Sequence, residues 1–379
     1  MAKKQKSHNR LMLALTIVIA FSIAFFINPL FNYADEFADN QSIARLLTFL
    51  FFALCLYLGI FIQIVLHELG HLVCGLISGY KFYSFRILSF CFVKTDGKIK
   101  LKKLTIPGTA GQCLMLPPPI NNGDRPYKLY NYGGVIFNIA FSLIFLAVAL
   151  LFNSDVFVYA LFGIFAVNGI ILAINNGVPA TVGFVQNDAK NVIDAGASKE
   201  AVDSFFFQLE IAHAQANGSR LSDLPDEYFT MPNDSDIDNP IVATKAYVIC
   251  EREIEKGNFY NAHVLIRELL AKAPSILPLY KALLQLELIY LDTIHNWASD
   301  ENVLARYKEQ AQIVKALKKS PSVQRIAYTV ALLIEKDKAK ANAHLVAFEK
   351  QAKKYPYQQE IDGERKLINL ATEKANQSI

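Results

Sequence analysis

The chain has 379 residues, 53% of them hydrophobic and 19% charged, with a mean hydropathy of +0.25. That is more apolar material than a soluble chain needs for its cores, and it points to a membrane protein. A formal net charge of +4 over this length gives no basis for a polyanionic partner, so nucleic-acid binding is not expected. The five cysteines, Cys55, Cys74, Cys91, Cys113 and Cys250, show no CxxC pairing or regular spacing. They are expected to be buried thiols rather than disulfides.

In chain order, the first long apolar stretch runs roughly from Leu11 to Phe31, after Lys3, Lys4, Lys6 and Arg10. A cleaved signal peptide would show a shorter apolar run and a small-residue cleavage site, so an uncleaved anchor is expected. The second stretch covers about Leu46 to Leu66, the third Gly134 to Phe152 and the fourth Val156 to Ile174. Each approaches the ~20 residues that a helix needs to cross a bilayer. Basic residues concentrate at the N-terminus and between the second and third stretches, whereas Asp35, Glu36 and Asp39 lie between the first two. Basic loops stay on the cytoplasmic side, so a multi-pass cell-membrane protein with both termini cytoplasmic is expected.

At the end of the second stretch, His67, Glu68 and His71 form HExxH within HELGH. A four-residue step places both imidazoles on one helical face, one turn apart, where they can share a metal ion. The expected ion is Zn2+, with Glu68 beside the first ligand as the base that takes a proton from the attacking water. Two histidines and a carboxylate at membrane depth are unfavourable unless coordinated or paired, which favours a metal site over an accidental motif.

Between the second and third stretches, two β-rich runs from Phe85 to Ile106 flank Asp96 and Gly97, a pair that favours a tight turn, so a β-hairpin is expected. Leu114 to Pro119 ends in three consecutive prolines and is expected to be non-helical there, as a candidate gate. After the fourth stretch, Asn175, Asn176, Gly177, Val178 and Pro179 must break the helix. A third metal ligand is sought just beyond this break: Asp188 is the first choice and Asp194 the reserve. Asp155 lies in the turn on the far side of the membrane and is excluded.

From there the composition becomes that of a soluble protein. A helix is expected over about Ser198 to Gln215, then a linker from Leu221 to Pro240. From Ala243 onward amphipathic helices dominate, and Gly257, Asn258, Phe259, Ala262, Ile266, Leu270 and Pro274 fall at tetratricopeptide-repeat spacings. Further helices are expected over Tyr280–Ile294, Leu304–Leu317, Val323–Lys336 and Ala339–Lys354. Such arrays stack into concave surfaces that bind peptides or proteins, which makes a protein partner of this domain an expectation. The fold expected is mainly α: a four-span transmembrane bundle with a β-hairpin insertion over residues 1–190, a juxtamembrane helix and linker over 191–240, and a soluble helical-repeat domain over 241–379.

Taken together, the chain resembles the site-2 protease family of intramembrane zinc metalloproteases over roughly residues 44–190. The HELGH run is similar to the family's first motif, and Gly133, Gly134 and Asn138 look like its glycine-rich motif ending in asparagine. Asn176, Gly177, Val178 and Pro179 followed by Asp188 look like the motif that supplies the last ligand. The resemblance implies that His67, His71 and Asp188 bind zinc, that Glu68 is the catalytic acid/base, and that Asn176 contacts the scissile peptide or its oxyanion. It also implies a hairpin lying against the membrane face, whose edge could pair with an unwound substrate strand. The substrate expected is a membrane-embedded or membrane-anchored protein or peptide, cut near the cytoplasmic boundary. Ala189 stands where the family carries glycine, which keeps open an inactive membrane scaffold of the same fold. A metal or proton transporter is the other alternative.

Overall fold

The computed structural model describes residues 2–95, 97–106, 109–119, 125–183 and 185–377, with side chains from Val18 onward, Phe37 and Thr95 excepted. Asp96, from the expected hairpin turn, lies outside the described residues. The chain divides into two compact units: Met1–Ile77 with Pro126–Ala180, and Ser78–Arg125 with Thr181–Ile379.

The first unit consists of four helices: α1 (Ala2–Phe37), α2 (Gln41–Ile77), α3 (Lys128–Leu151) and α4 (Val156–Gly177). Each contains a segment long and apolar enough to cross a membrane, beginning at Val18 in α1. Half of the α4 segment is buried, against 17–22% for the others, so α4 is the central helix of the group. Asp155 starts it, accepting hydrogen bonds from the Phe157 and Val158 amides at 3.0 and 3.1 Å, a side-chain cap for otherwise unpaired donors. The polarity of the group is inverted relative to a water-soluble bundle. Phe21, Tyr57, Leu143 and Leu151 are exposed, while Gln63, His67, Glu68, Asn138, Ser142 and Asn168 are buried. Apolar surfaces facing outward and polar groups facing inward suit a lipid surround.

The helix α2 runs on beyond the expected span. Its 37 residues make about 55 Å at ~1.5 Å per residue, well beyond the ~30 Å of a hydrocarbon core. Leu72, Val73, Leu76 and Ile77 continue the apolar pattern, so HELGH lies inside the helix rather than at its end.

In the second unit the expected hairpin is half of a four-stranded antiparallel sheet. The strands β1 (Lys81–Ile87), β2 (Phe90–Thr95), β3 (Lys98–Lys103) and β4 (Gly111–Leu116) stand in the order β3-β2-β1-β4. The pair β2–β3 carries the Gly97 turn, with Gly97 at φ +75°. The run expected from Phe85 is instead divided at Leu88, which adopts φ +52°. The buried Arg86 guanidinium steadies that bend, donating to the Leu88 carbonyl at 2.7 Å and the Gly111 carbonyl at 2.9 Å. Of the stretch Leu114–Pro119, Leu114–Leu116 pair with β1 and Met115 is fully buried, while the three prolines are non-helical as expected. Tyr83, Cys91 and Val93 pack with Ala216 and Tyr357.

A two-residue pair, β5 (Thr181–Val182) and β6 (Val185–Gln186), precedes α5 (Asp188–Ala195) and α6 (Lys199–Ala216). The stretch expected as a linker is packed rather than free. Leu221, Phe229 and Ile237 are buried, and the Arg252 guanidinium lies 4.1 Å from the centre of the Phe229 ring. Its apolar residues, interspersed among Asp, Pro and Ser, supply that anchorage.

The remaining helices are α7 (Pro240–Lys256), α8 (Phe259–Lys272), α9 (Pro278–His295), α10 (Asp300–Glu309), α11 (Ala311–Ala316), α12 (Pro321–Leu333), α13 (Lys338–Ala352) and α14 (Gln358–Gln377). They share one core that includes Val242, Ala262, Ile266, Leu284, Ile326 and Phe348. Gly257 ends α7 in the left-handed region at φ +80°, which glycine adopts without strain. The helix expected over Leu304–Leu317 is two helices, and α14 lies beyond those expected.

Candidate metal centre

The site is built first from two glycine-mediated approaches of α3 to α2. A Cβ on Gly70 would stand 2.2 Å from the Gly133 carbonyl oxygen, and one on Gly133 would stand 2.4 Å from the Gly70 oxygen. Backbone therefore lies against backbone, closer than any side chain allows. One residue on, a Cβ on Gly134 would meet the His67 ring at 2.4–2.5 Å, so the imidazole lies against bare backbone. These contacts explain GGVIFN physically: its glycines admit α2 and the His67 ring, and Asn138 follows one turn later.

Hydrogen bonds then fix both rings. His67 Nδ1 lies 2.7 Å from Asn138 Oδ1. Asn138 Nδ2 donates to the Gln63 backbone carbonyl at 2.9 Å and to Gln63 Oε1 at 2.8 Å. A carbonyl can only accept, so the amide orientation is settled and Oδ1 faces the ring. His67 Nδ1 is therefore the donor. His71 Nδ1 lies 2.8 Å from the Tyr130 carbonyl, which makes it a donor too. Gln63 Nε2 donates to the Phe165 carbonyl at 3.0 Å, tying α2 to α4 behind the rings.

With both Nδ1 protons committed, the two Nε2 atoms face each other at 3.2 Å. Neutral imidazoles so arranged point lone pairs at one another, and a shared cation relieves that repulsion. Zinc takes imidazole nitrogen at ~2.0–2.1 Å in a tetrahedral shell, whose edges are then about 3.4 Å, close to the observed separation. Hydrogen bonds from Nδ1 to carbonyl acceptors are also the usual way of orienting metal-binding histidines. Glu68 is buried next in sequence to His67.

Asp188 opens α5, whose first turn is capped by the Asn187 side chain accepting from the Lys190 amide at 3.0 Å. His67 and His71 belong to the first unit and Asp188 to the second. No family model, curated protein or solved structure matches the chain.

The reserve ligand, Asp194, is engaged elsewhere. Its carboxylate pairs with Lys190 and accepts from the Gln186 amide. Asn176 stands in the last turn of α4 and donates back to the Leu172 carbonyl at 3.1 Å. Sequence reasoning passed over Gln63 and Tyr130. Gln63 did leave a signal, being a polar residue inside an apolar span four positions before His67 and so on the same face. The Tyr130 contribution is a backbone carbonyl, which no side-chain pattern reveals.

Proposed function

We propose that the chain is an intramembrane zinc metalloprotease of the site-2 type, cutting a membrane-embedded or membrane-anchored protein or peptide near the cytoplasmic boundary. The observation that carries this reading is the facing of two Nε2 atoms at 3.2 Å with both Nδ1 protons held by fixed acceptors. Asp188 is proposed as the third ligand, as the resemblance to the site-2 protease motif implies, which would complete a donor set of two imidazoles and one carboxylate with a position left for water or substrate. Bound zinc would polarise the scissile carbonyl and acidify water.

The chain's own residues then have separate tasks. Asn138, Gln63 and the Tyr130 carbonyl keep both Nε2 atoms aimed at one point. Glu68 takes the proton from the attacking water and returns it to the leaving amine, serving as base and then acid. Asn176 is proposed to bind the scissile peptide or its oxyanion. The buried, hydrogen-bonded surroundings raise the strength of each charge interaction. An unwound substrate is required because a helix hides its carbonyls. Both termini are proposed to be cytoplasmic, and the C-terminal helices to present a surface to a protein partner.

The test is quantitative membrane proteomics on cells carrying wild type or Glu68→Gln. A membrane protein that accumulates uncut only in the variant, and is cleaved by purified wild type in detergent, is the expected result. Equal processing in both strains would overturn the assignment of Glu68, and metal flux in proteoliposomes would point to transport instead.

A further inference from the structure

The β2–β3 hairpin has two unlike faces. Across it Phe92 pairs with Leu101, Lys94 with Ile99 and Phe90 with Lys103, and partners in an antiparallel ladder point to the same side. The opposite side carries Cys91 and Val93, which pack with Ala216 and Tyr357 in the core. On the outer side Phe90, Phe92, Ile99 and Leu101 form an apolar row and are 38–62% exposed. The strand β3 is also an edge of the sheet, and an exposed apolar edge invites association unless it is covered or charged.

Positive charge surrounds this row. Lys94 stands beside Ile99 at the turn end, Lys103 beside Phe90 at the other, and Lys98 and Lys100 alternate with the apolar residues along β3. All four lysines are exposed, and none pairs with a carboxylate among the described residues. The Lys103 ammonium lies 5.5 Å from the centre of the Phe90 ring, which sets its charge at the rim of the apolar row. The Lys103 amide also donates to the Lys354 carbonyl at 3.3 Å, and so brings the exposed Lys353 and Lys354 that follow α13 to the same rim.

We propose that this face docks on a bilayer containing anionic lipid, with the four apolar side chains at the acyl boundary and the lysines on headgroup phosphates. Such a surface meets both halves of the pattern, whereas a second copy of the chain would set lysine against lysine. Only Ser78, Gly79 and Tyr80 separate β1 from α2, which is long and apolar enough to cross a membrane, so a bilayer is the partner nearest in the chain. An apolar row alone would enter any bilayer. The lysines add a dependence on headgroup charge, which grows with each of them and is screened by salt. The inference rests on the membrane reading of α2 and is independent of the metal centre.

The test is tryptophan fluorescence of the purified full chain, reconstituted in phosphatidylcholine with brominated acyl chains, either alone or with one third phosphatidylglycerol. Trp297 is the single tryptophan, so a Trp297→Phe background carries either Phe92→Trp or, on the exposed side of α3, Leu143→Trp. Leu143→Trp is expected to be quenched in both bilayers. Phe92→Trp is expected to be quenched at least twofold more strongly with phosphatidylglycerol than without. Half-molar KCl, or Lys94→Gln, Lys98→Gln, Lys100→Gln and Lys103→Gln combined, should remove that difference. Phe92→Trp unquenched beside a quenched Leu143→Trp would overturn the proposal and leave the membrane reading standing, and both unquenched would overturn the membrane reading itself. Equal quenching in the two bilayers, or a difference that survives loss of the four lysines, would reduce the face to apolar contact and overturn the proposal as well. No quenching together with a blue shift of Phe92→Trp on adding polyglutamate would reassign the face to an acidic protein.

Discussion

At the scale of single residues, the chemistry rests on tautomers fixed by neighbours. Asn138 is the informative case, because it touches no reacting group and yet decides which nitrogen of His67 carries the proton. Asn138→Ala should weaken zinc affinity about 10–100-fold, as loss of such outer partners usually does, while leaving the fold intact by circular dichroism. Competition with a chromogenic chelator measures it, and unchanged affinity would mean that Asn138 only fills space. The facing of the His67 and His71 rings was legible in the sequence, because a four-residue step places both on one helical face. Asp188 and Asp194 were both candidates in the sequence, where nothing shows that Asp194 is held by Lys190 and Gln186.

At the scale of elements, the glycines of α2 and α3 set the approach on which the site depends. Gly70→Ala would drive a methyl group into the Gly133 carbonyl, and overpacking of this kind costs about 1–3 kcal/mol. A lower melting temperature together with reduced metal retention is expected, read by thermal unfolding and by metal analysis on the same sample. The apolar spans were visible as composition, and their ends were not. Apolar residues beyond His71 carry α2 on to Ile77, and composition does not say where a helix leaves the lipid. The sheet was half legible. Gly97 marks the β2–β3 turn, whereas the bend at Leu88 is held by buried Arg86 instead of by a turn residue, and so left no signature.

At the scale of the whole molecule, an apolar exterior with a polar interior in one unit contrasts with a conventional apolar core in the other. The second unit also carries a pH dependence of known sign. Burial holds Glu360 up to about 7 in the folded state, above its unfolded value. Its contribution is therefore fully present below the unfolded value and is lost as pH rises through the folded one. Histidines such as His213 and His344, which burial pushes down, act oppositely in the same window, so the Glu360 contribution is isolated by comparison with Glu360→Gln. The two proteins should melt together near about pH 5, and the variant should melt a few degrees higher near about pH 8. An identical difference at both values would contradict the assignment.

The central claim is that His67, His71 and Asp188 hold one zinc ion, and metal analysis of purified protein tests it most directly. Wild type and Glu68→Gln should each retain one zinc per chain, and a His67→Ala/His71→Ala variant should retain none while folding comparably. The same trace metal content in all three would contradict the account.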